Sequence, residues 1–284
     1  MNDLKKMVVL LLLFLLILPA HVLAAGKHMK PLAVKAAILV EMNTGQVLYR
    51  QNADRIIQPA SLSKIMSLYI IAEDIENKKA LYTDLVTVSD NAARTGGSKM
   101  LFEPGEKFEV FDLVKGMAIH SANDASVALA EHFGGSEDQF VLRMNAKARE
   151  LGMKHTRFIN PHGLPNRKQK TTAWDIYILS REYLRRFPNL QKIHSIERFT
   201  FNDVVWINRN DLLSNYPGAD GLKTGYVGAA GFHLVATARR GDAKLMAVVL
   251  GAKNRRIRSR QTRKLLDYGF GLTGQRMAAS RIGG

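Results

Sequence analysis

Apolar residues follow two rhythms along this chain: short runs bounded by turn residues near both ends, and helical spacing through the middle. Residues 36 to 42 and 45 to 50 are two such runs around Asn43-Thr44-Gly45, a strong hairpin signal. From Pro59 the period changes. At about 100° per residue, Ser61, Lys64, Ile65, Leu68, Ala72 and Ile75 share one stripe of a predicted helix, which turns the lysine inward. Pro59 suits its first turn, where no helical hydrogen bond is forfeited. A short strand is expected over residues 85 to 88, then a loop containing Gly96, Gly97 and Gly105. Helical spacing resumes over 110 to 119 and 122 to 133, joined at His120-Ser121, and again over 139 to 151, stopped by Gly152. Pro161, Gly163 and Pro165 break residues 153 to 171 into loop, and another helix is expected over 172 to 186.

Strand patterns return in the last third. Residues 199 to 201 and 204 to 207 form a small hairpin turning at Asn202-Asp203; longer strands follow over 221 to 224, 231 to 238 and 244 to 250, with a turn over 239 to 242. A helix over 255 to 268 ends the pattern. Strands from both ends of the chain can join one antiparallel sheet, flanked by helices, while the middle helices form a separate lobe. The expected class is therefore α/β in the α+β sense, with the active site between sheet and lobe. No repeat or linker appears, so residues 25 to 284 read as one domain with a core over about 33 to 272.

The first residues read differently. Lys5 and Lys6 precede an unbroken apolar run over 7 to 18, too short for a comfortable membrane span, and small residues at Ala24-Ala25 offer a cleavage site. A signal peptide over 1 to 24 is expected, with the mature chain exported to the periplasmic or cell-wall space. The 284 residues are 46% hydrophobic, carry a formal charge of +16 and include no cysteine. Disulfides, thiolate metal sites and a lipoprotein anchor are thereby excluded. The eight histidines are scattered and no His-Glu-x-x-His occurs, so no metal and no cofactor is expected. The positive charge favours a weak contact with anionic membrane or wall polymer over nucleic acid. Arg255, Arg256, Arg258, Arg260, Arg263 and Lys264 cluster on the last helix; such a run reads first as a solvated face and second as a wall-binding surface.

Three short motifs carry candidate chemistry. An amine turned toward an apolar face beside a hydroxyl has its pKa depressed, so Lys64 can serve as the base for a nucleophilic Ser61, although Ser-x-x-Lys also arises by chance about once in a chain of this size. Lys223-Thr224-Gly225, at the end of an expected strand, is rarer: its lysine and hydroxyl suit a carboxylate, and Gly225 allows close backbone approach, or the triplet is merely a turn. Two Ser-x-Asn triplets compete. Ser89-Asp90-Asn91 lies 28 residues after Ser61 and reads as a structural turn; Ser121-Ala122-Asn123 lies 60 residues after it, between two buried helices, and is preferred. His120 reads as a wall residue and His162 as part of a turn. The absence of Gly-x-Ser-x-Gly disfavours an α/β-hydrolase.

In this order the three motifs resemble the penicillin-binding and serine β-lactamase superfamily. Pro59-Ala60-Ser61-Leu62-Ser63-Lys64, Ser121-Ala122-Asn123-Asp124-Ala125, Asn160-Pro161-His162-Gly163-Leu164 and Asp220-Gly221-Leu222-Lys223-Thr224-Gly225-Tyr226 are similar to the low-molecular-mass serine D-alanyl-D-alanine carboxypeptidases, the S11 peptidase family. The resemblance implies peptidoglycan stem peptides ending in D-Ala-D-Ala as substrates and β-lactams as covalent inhibitors. It implies Ser61 as nucleophile, Lys64 as base, Ser121 as proton relay, Asn123 on the acyl part's amide, and Lys223 with Thr224 on the terminal carboxylate. Backbone N–H groups of Ser61 and Tyr226 are the implied oxyanion donors. A class A β-lactamase would need a loop glutamate for deacylation, and residues 151 to 181 contain none, only Asp175. A DD-endopeptidase, differing only in the leaving group, is the nearer rival; a non-enzymatic wall-binding protein is the remote one. Relatives often carry arginine where Lys253 stands, so its part in binding is open. The residues after 270 are expected to form neither the β-rich module nor the amphipathic membrane helix that several relatives add.

Overall fold

A computed structural model describes the backbone over residues 29 to 282 and side chains through 274; the expected signal peptide lies outside the described residues. The first hairpin pairs β1 (Ala36–Glu41) with β2 (Val47–Gln51). A 3-10 turn, Ala60–Leu62, then leads into α1 (Ser63–Glu76). The regular helix thus starts later than the sequence pattern suggests, because Ala60 takes a left-handed φ of 50° that no α-helix accommodates. Nor is α1 a one-sided helix: every residue from Ser63 to Ala72 is buried. Its apolar stripe understates its environment, since the helix runs through the centre of the molecule.

Next come β3 (Leu85–Thr87), α2 (Asp90–Arg94), β4 (Lys107–Glu109) and α3 (Val110–Lys115). Strand β4, which pairs antiparallel with β3, is too short to register in the hydrophobic pattern. A single π-helical turn, Gly116–His120, closes α3 against α4 (Asn123–Gly134), and α5 (Glu137–Glu150) follows. Thr172 caps α6 (Ala173–Arg186), its hydroxyl accepting from the Asp175 N–H at 3.0 Å. Three short helices do not register in the sequence pattern: α2, where a turn is expected, α7 (Gln191–His194) before the hairpin of β5 (Arg198–Phe201) and β6 (Val204–Ile207), and α8 (Leu212–Asn215) after it. The chain then enters β7 (Ala219–Val227), β8 (Gly231–Arg240) and β9 (Ala243–Ala252), and ends in α9 (Arg255–Ile282).

Five strands form one antiparallel sheet in the order β2-β1-β9-β8-β7, so strands from both ends of the chain do join. Ile38, Val40, Met246 and Val248 face the helical lobe, whereas Leu39 and Leu245 face the opposite side and meet α9 at Gly269. Cover on both faces explains why β1 and β9 are apolar without alternation, unlike a sheet with one wet face. Strand β7 extends three residues past Thr224, which puts Lys223-Thr224-Gly225 inside the strand rather than at its end. Helix α9 likewise runs well past residue 268.

Candidate active site

Ser61 is the middle residue of the 3-10 turn, and Lys64 follows one turn later as the second residue of α1. The lysine is wholly buried, with Nζ 2.6 Å from Asn123 Oδ1, 2.6 Å from the His162 carbonyl and 3.4 Å from Ser61 Oγ. The His162 carbonyl comes from the loop over residues 160 to 165, which crosses directly over the serine turn. A Cβ on Gly163 would fall 1.9 Å from the Ala60 carbonyl oxygen, and its φ is +90°, so only glycine fits the crossing. Asn160 Oδ1 fastens the crossing by accepting from the Gly163 N–H at 2.7 Å. His162 itself is a turn residue, as its sequence context suggests, accepting from the Leu164 N–H at 3.1 Å through Nδ1.

Burial drives the Lys64 ammonium well below its usual range; Lys223 and Arg209 add like-charge repulsion, and Asp124 pulls weakly the other way. None of the three acceptors around Nζ is a carboxylate. A neutral amine has two N–H bonds and one lone pair. The two short contacts absorb both N–H bonds, which leaves the lone pair for the Ser61 hydroxyl.

Ser121 ends the π-helical turn in a left-handed conformation, φ 68°, and lies with Asn123 on the wall facing Ser61. Asn123 is more committed than its sequence context suggests. Its oxygen serves Lys64 and one N–H donates to the Gly96 carbonyl at 2.7 Å, so a single N–H remains for a ligand. The competing triplet is structural: the Ser89 side chain caps α2, and Asn91 donates to Glu131 at 2.9 Å.

These walls enclose a cavity of about 490 Å³, lined by Ser61, Ser121, Asn123, Thr224, Gly225 and Tyr226 and additionally by Arg209, Arg255 and Arg258. Gly225 lies against the serine turn, where a Cβ would sit 3.3 Å from the Ser61 nitrogen; its missing side chain admits the protein's own backbone as well as a ligand. Tyr226, 56% exposed, stacks on Phe232 at the rim with ring centroids 4.2 Å apart.

Lys223 sits deeper than Thr224. It is buried, is not part of the cavity wall, and its Nζ donates to the Thr224 carbonyl at 3.2 Å. Burial, then Arg209 and Arg258, lower it to about 7. When protonated, it adds to the like-charge repulsion that lowers Lys64.

The arginines are what the sequence reading missed. Arg258 is no solvated residue: 4% exposed, it donates to Asp211 Oδ1 at 2.7 Å. Spacing held the signal, because Arg258 lies four residues from Thr262 and seven from Leu265, both fully buried on the inner stripe of α9. Arg209 follows β6 and approaches His120 Nε2 at 3.5 Å. His120, packed on Trp206, is pushed down to about 4 by burial, Arg209 and Lys223, which keeps it neutral and fits a wall residue. Lys253 is exposed and does not line the cavity. No carboxylate lines the cavity among the described residues; Asp175 is held elsewhere, accepting from His155 N and Thr156 Oγ1 at 2.8 Å each.

A serine–lysine pair at the head of a central helix, between a helical lobe and a five-stranded antiparallel sheet, defines the penicillin-binding class of serine enzymes. A family model described as D-alanyl-D-alanine carboxypeptidase, peptidase S11, matches residues 24 to 254, and the chain belongs to that family. It is 42% identical over 258 residues to D-alanyl-D-alanine carboxypeptidase DacF of Bacillus subtilis (strain 168), covering 86% of this chain and 64% of that one. It is likewise 42% identical over 243 residues to DacC of Escherichia coli (strain K12), covering 83% and 61%. The chain thus spans somewhat under two thirds of the length of these relatives. Among solved structures it is similar to penicillin-binding protein 5 from Haemophilus influenzae, with TM-score 0.83, 36% identity and coverage of 86% and 72%. Penicillin-binding protein D2 from Listeria monocytogenes, solved in an ampicillin-bound form, has TM-score 0.78 at 30% identity, with coverage of 85% and 99%.

Proposed function

We propose that this chain is a serine D-alanyl-D-alanine carboxypeptidase, acting on peptidoglycan stem peptides in the periplasmic or cell-wall space. The observation that carries this reading is the Lys64 amine, wholly buried with two short contacts to neutral oxygens and its remaining position toward Ser61 Oγ. Lys64 takes the Ser61 proton as Oγ attacks the carbonyl between the two D-alanines. The tetrahedral oxyanion forms at the backbone N–H groups of Ser61 and Tyr226. As the C–N bond breaks, the proton passes through Ser121 to the leaving D-alanine nitrogen. Water, activated by Lys64, then attacks the acyl-enzyme and releases the shortened peptide. Thr224 and Arg258 hold the terminal carboxylate, and the free N–H of Asn123 holds the acyl part.

A cavity wall without a carboxylate leaves no second base for deacylation, so β-lactams act as slow-release covalent inhibitors. The similarity to a penicillin-binding protein solved with ampicillin supports the same reading. The test is release of free D-alanine from a monomeric pentapeptide, together with mass spectrometry after treatment with a fluorescent penicillin. D-alanine release and an adduct on the peptide carrying Ser61 are expected. Rapid penicillin destruction with the pentapeptide left intact would overturn the reading, and cleavage of cross-linked dimers alone would move it to an endopeptidase.

The outer face of α9 favours a weak contact with anionic polymer or lipid. Arg256, Arg260, Arg263 and Lys264 line a groove whose acids, Asp211 and Asp267, already pair with Arg258 and Arg240. Sedimentation with anionic vesicles or wall fragments, lost on raising the salt, is the expected outcome.

A further inference from the structure

The arginine end of the cavity carries more positive charge than one terminal carboxylate can meet. Arg258 is offset by Asp211 at 2.7 Å. Arg209, exposed beside His120, meets no carboxylate, and neither does Arg255, also exposed, at the cavity rim, among the described residues. Arg255 acts on two cations: after burial it lowers Arg209, and it adds a smaller push to Arg258, where burial lowers and Asp211 raises more strongly. Three guanidiniums are thus gathered at one place with a single internal counter-charge. Such a cluster repels itself unless an anion completes it.

Spacing says where that anion belongs. Arg255 and Arg258 are three residues apart in the first turns of α9, on neighbouring positions of the helix surface about 5–6 Å apart at Cβ. From neighbouring Cβ atoms, the two guanidinium groups on their flexible stems can reach the two carboxylates of one acidic amino acid. A terminal carboxylate on Arg258 and Thr224 leaves Arg255 within reach of a side-chain carboxylate on the same residue.

We infer that the leaving-group end of the cavity is a two-anion site, in which Arg255 selects substrates whose last residue is a D-amino acid with a carboxylate side chain. The inference rests on the proposed peptidase reading. It adds a substrate class to D-alanine and makes Arg255 a specificity residue of the same reaction: the acyl–nitrogen bond breaks as before, and the departing amine takes the relayed proton.

The experiment compares peptides that end in D-Ala-D-Glu and D-Ala-D-Gln, which differ by one charge at equal size, with D-Ala-D-Ala measured alongside. In the unaltered protein at low salt, kcat/KM for D-Glu should exceed that for D-Gln at least tenfold, and the ratio should shrink as salt rises. In Arg255→Gln the ratio should fall to within about twofold. Equal kcat/KM for the pair, or a ratio that Arg255→Gln leaves unchanged, overturns the inference even if D-Ala-D-Ala is cleaved well. If no peptide is cleaved, the peptidase reading fails instead; calorimetric binding of the same pair to Ser61→Ala protein then decides the two-anion site on its own, with D-Glu tighter than D-Gln expected and equal affinities overturning it.

Discussion

The two walls of the cavity solve opposite electrostatic problems. On the helical wall, Lys64 is buried beside Asn123 Oδ1 and the His162 carbonyl, so its polar contacts are met while its charge is suppressed. On the strand wall, Thr224, Arg209, Arg255 and Arg258 gather positive charge that the protein only partly answers. One wall is complete without a ligand, and the other becomes complete with one. A group that must change its protonation state is best held by neutral oxygens, whereas a group that must recognise an anion is best left short of one.

Substitutions on the finished wall should break the chemistry outright. Ser61→Ala should lower peptide hydrolysis by roughly 10,000- to 1,000,000-fold and abolish the penicillin adduct, because the nucleophile acts as a unit with its base. Intact-mass spectrometry and D-alanine release check both, and an adduct that persists in the variant would put the nucleophile elsewhere. Lys64→Met, which keeps the stem and removes the amine, should cost about 100- to 10,000-fold in acylation rate. Stopped-flow acylation by penicillin reads this; a loss below tenfold would mean another group takes the Ser61 proton.

How far each wall could be read from the sequence follows from the same division. Ser61 and Lys64 are one helical turn apart, so local periodicity was enough to turn the lysine inward. Residues brought together by tertiary packing were harder. The Asn123 contact to Lys64 joins α4 to α1, and the Gly163 crossing joins a distant loop to the serine turn; no local pattern marks either. The antiparallel sheet was legible because β8 and β9 are long apolar runs with a tight turn between them. Strand β4 and helices α2, α7 and α8 were not, since each is only three to five residues long. Arg258 was hidden by its neighbours: in a run of six basic residues, net charge masked the one on the buried stripe of α9.

Substitutions on the unfinished wall should weaken recognition rather than the bond-making step. Arg258→Met should raise KM for a peptide with a free C-terminal carboxylate and lower kcat/KM by roughly 10- to 100-fold, the range for a charge-assisted contact in a shielded site. The same peptide with an amidated C-terminus lacks the charge, so the variant and the unaltered protein should differ on it by less than about threefold. Equal losses on both peptides would mean that Arg258 supports the fold through Asp211 instead of holding substrate. Steady-state kinetics on the pair separate the two.

The remaining expected effect, and the most direct probe of the contrast, is on stability. Lys223 lies behind the strand wall, and the two charges that lower it besides burial, Arg209 and Arg258, are both basic. Its pKa is held at about 7 in the folded chain, against 10.5 for an ordinary lysine, so the unfolded chain binds more protons between those two values. Folding stability must therefore rise with pH across that window, by at most about 1.4 kcal/mol per pH unit for this one group. Below pH 7 both states hold the proton, and the penalty for burying the charge acts in full. Lys223→Met removes the proton from both states, so it should be stabilised relative to the unaltered protein at pH 6 to 7, and that advantage should narrow steadily toward pH 9. Denaturant unfolding of the two proteins at matched pH measures the difference directly. Parallel stability curves would mean that Lys223 keeps its proton when folded, against the lowering that its burial among basic groups implies.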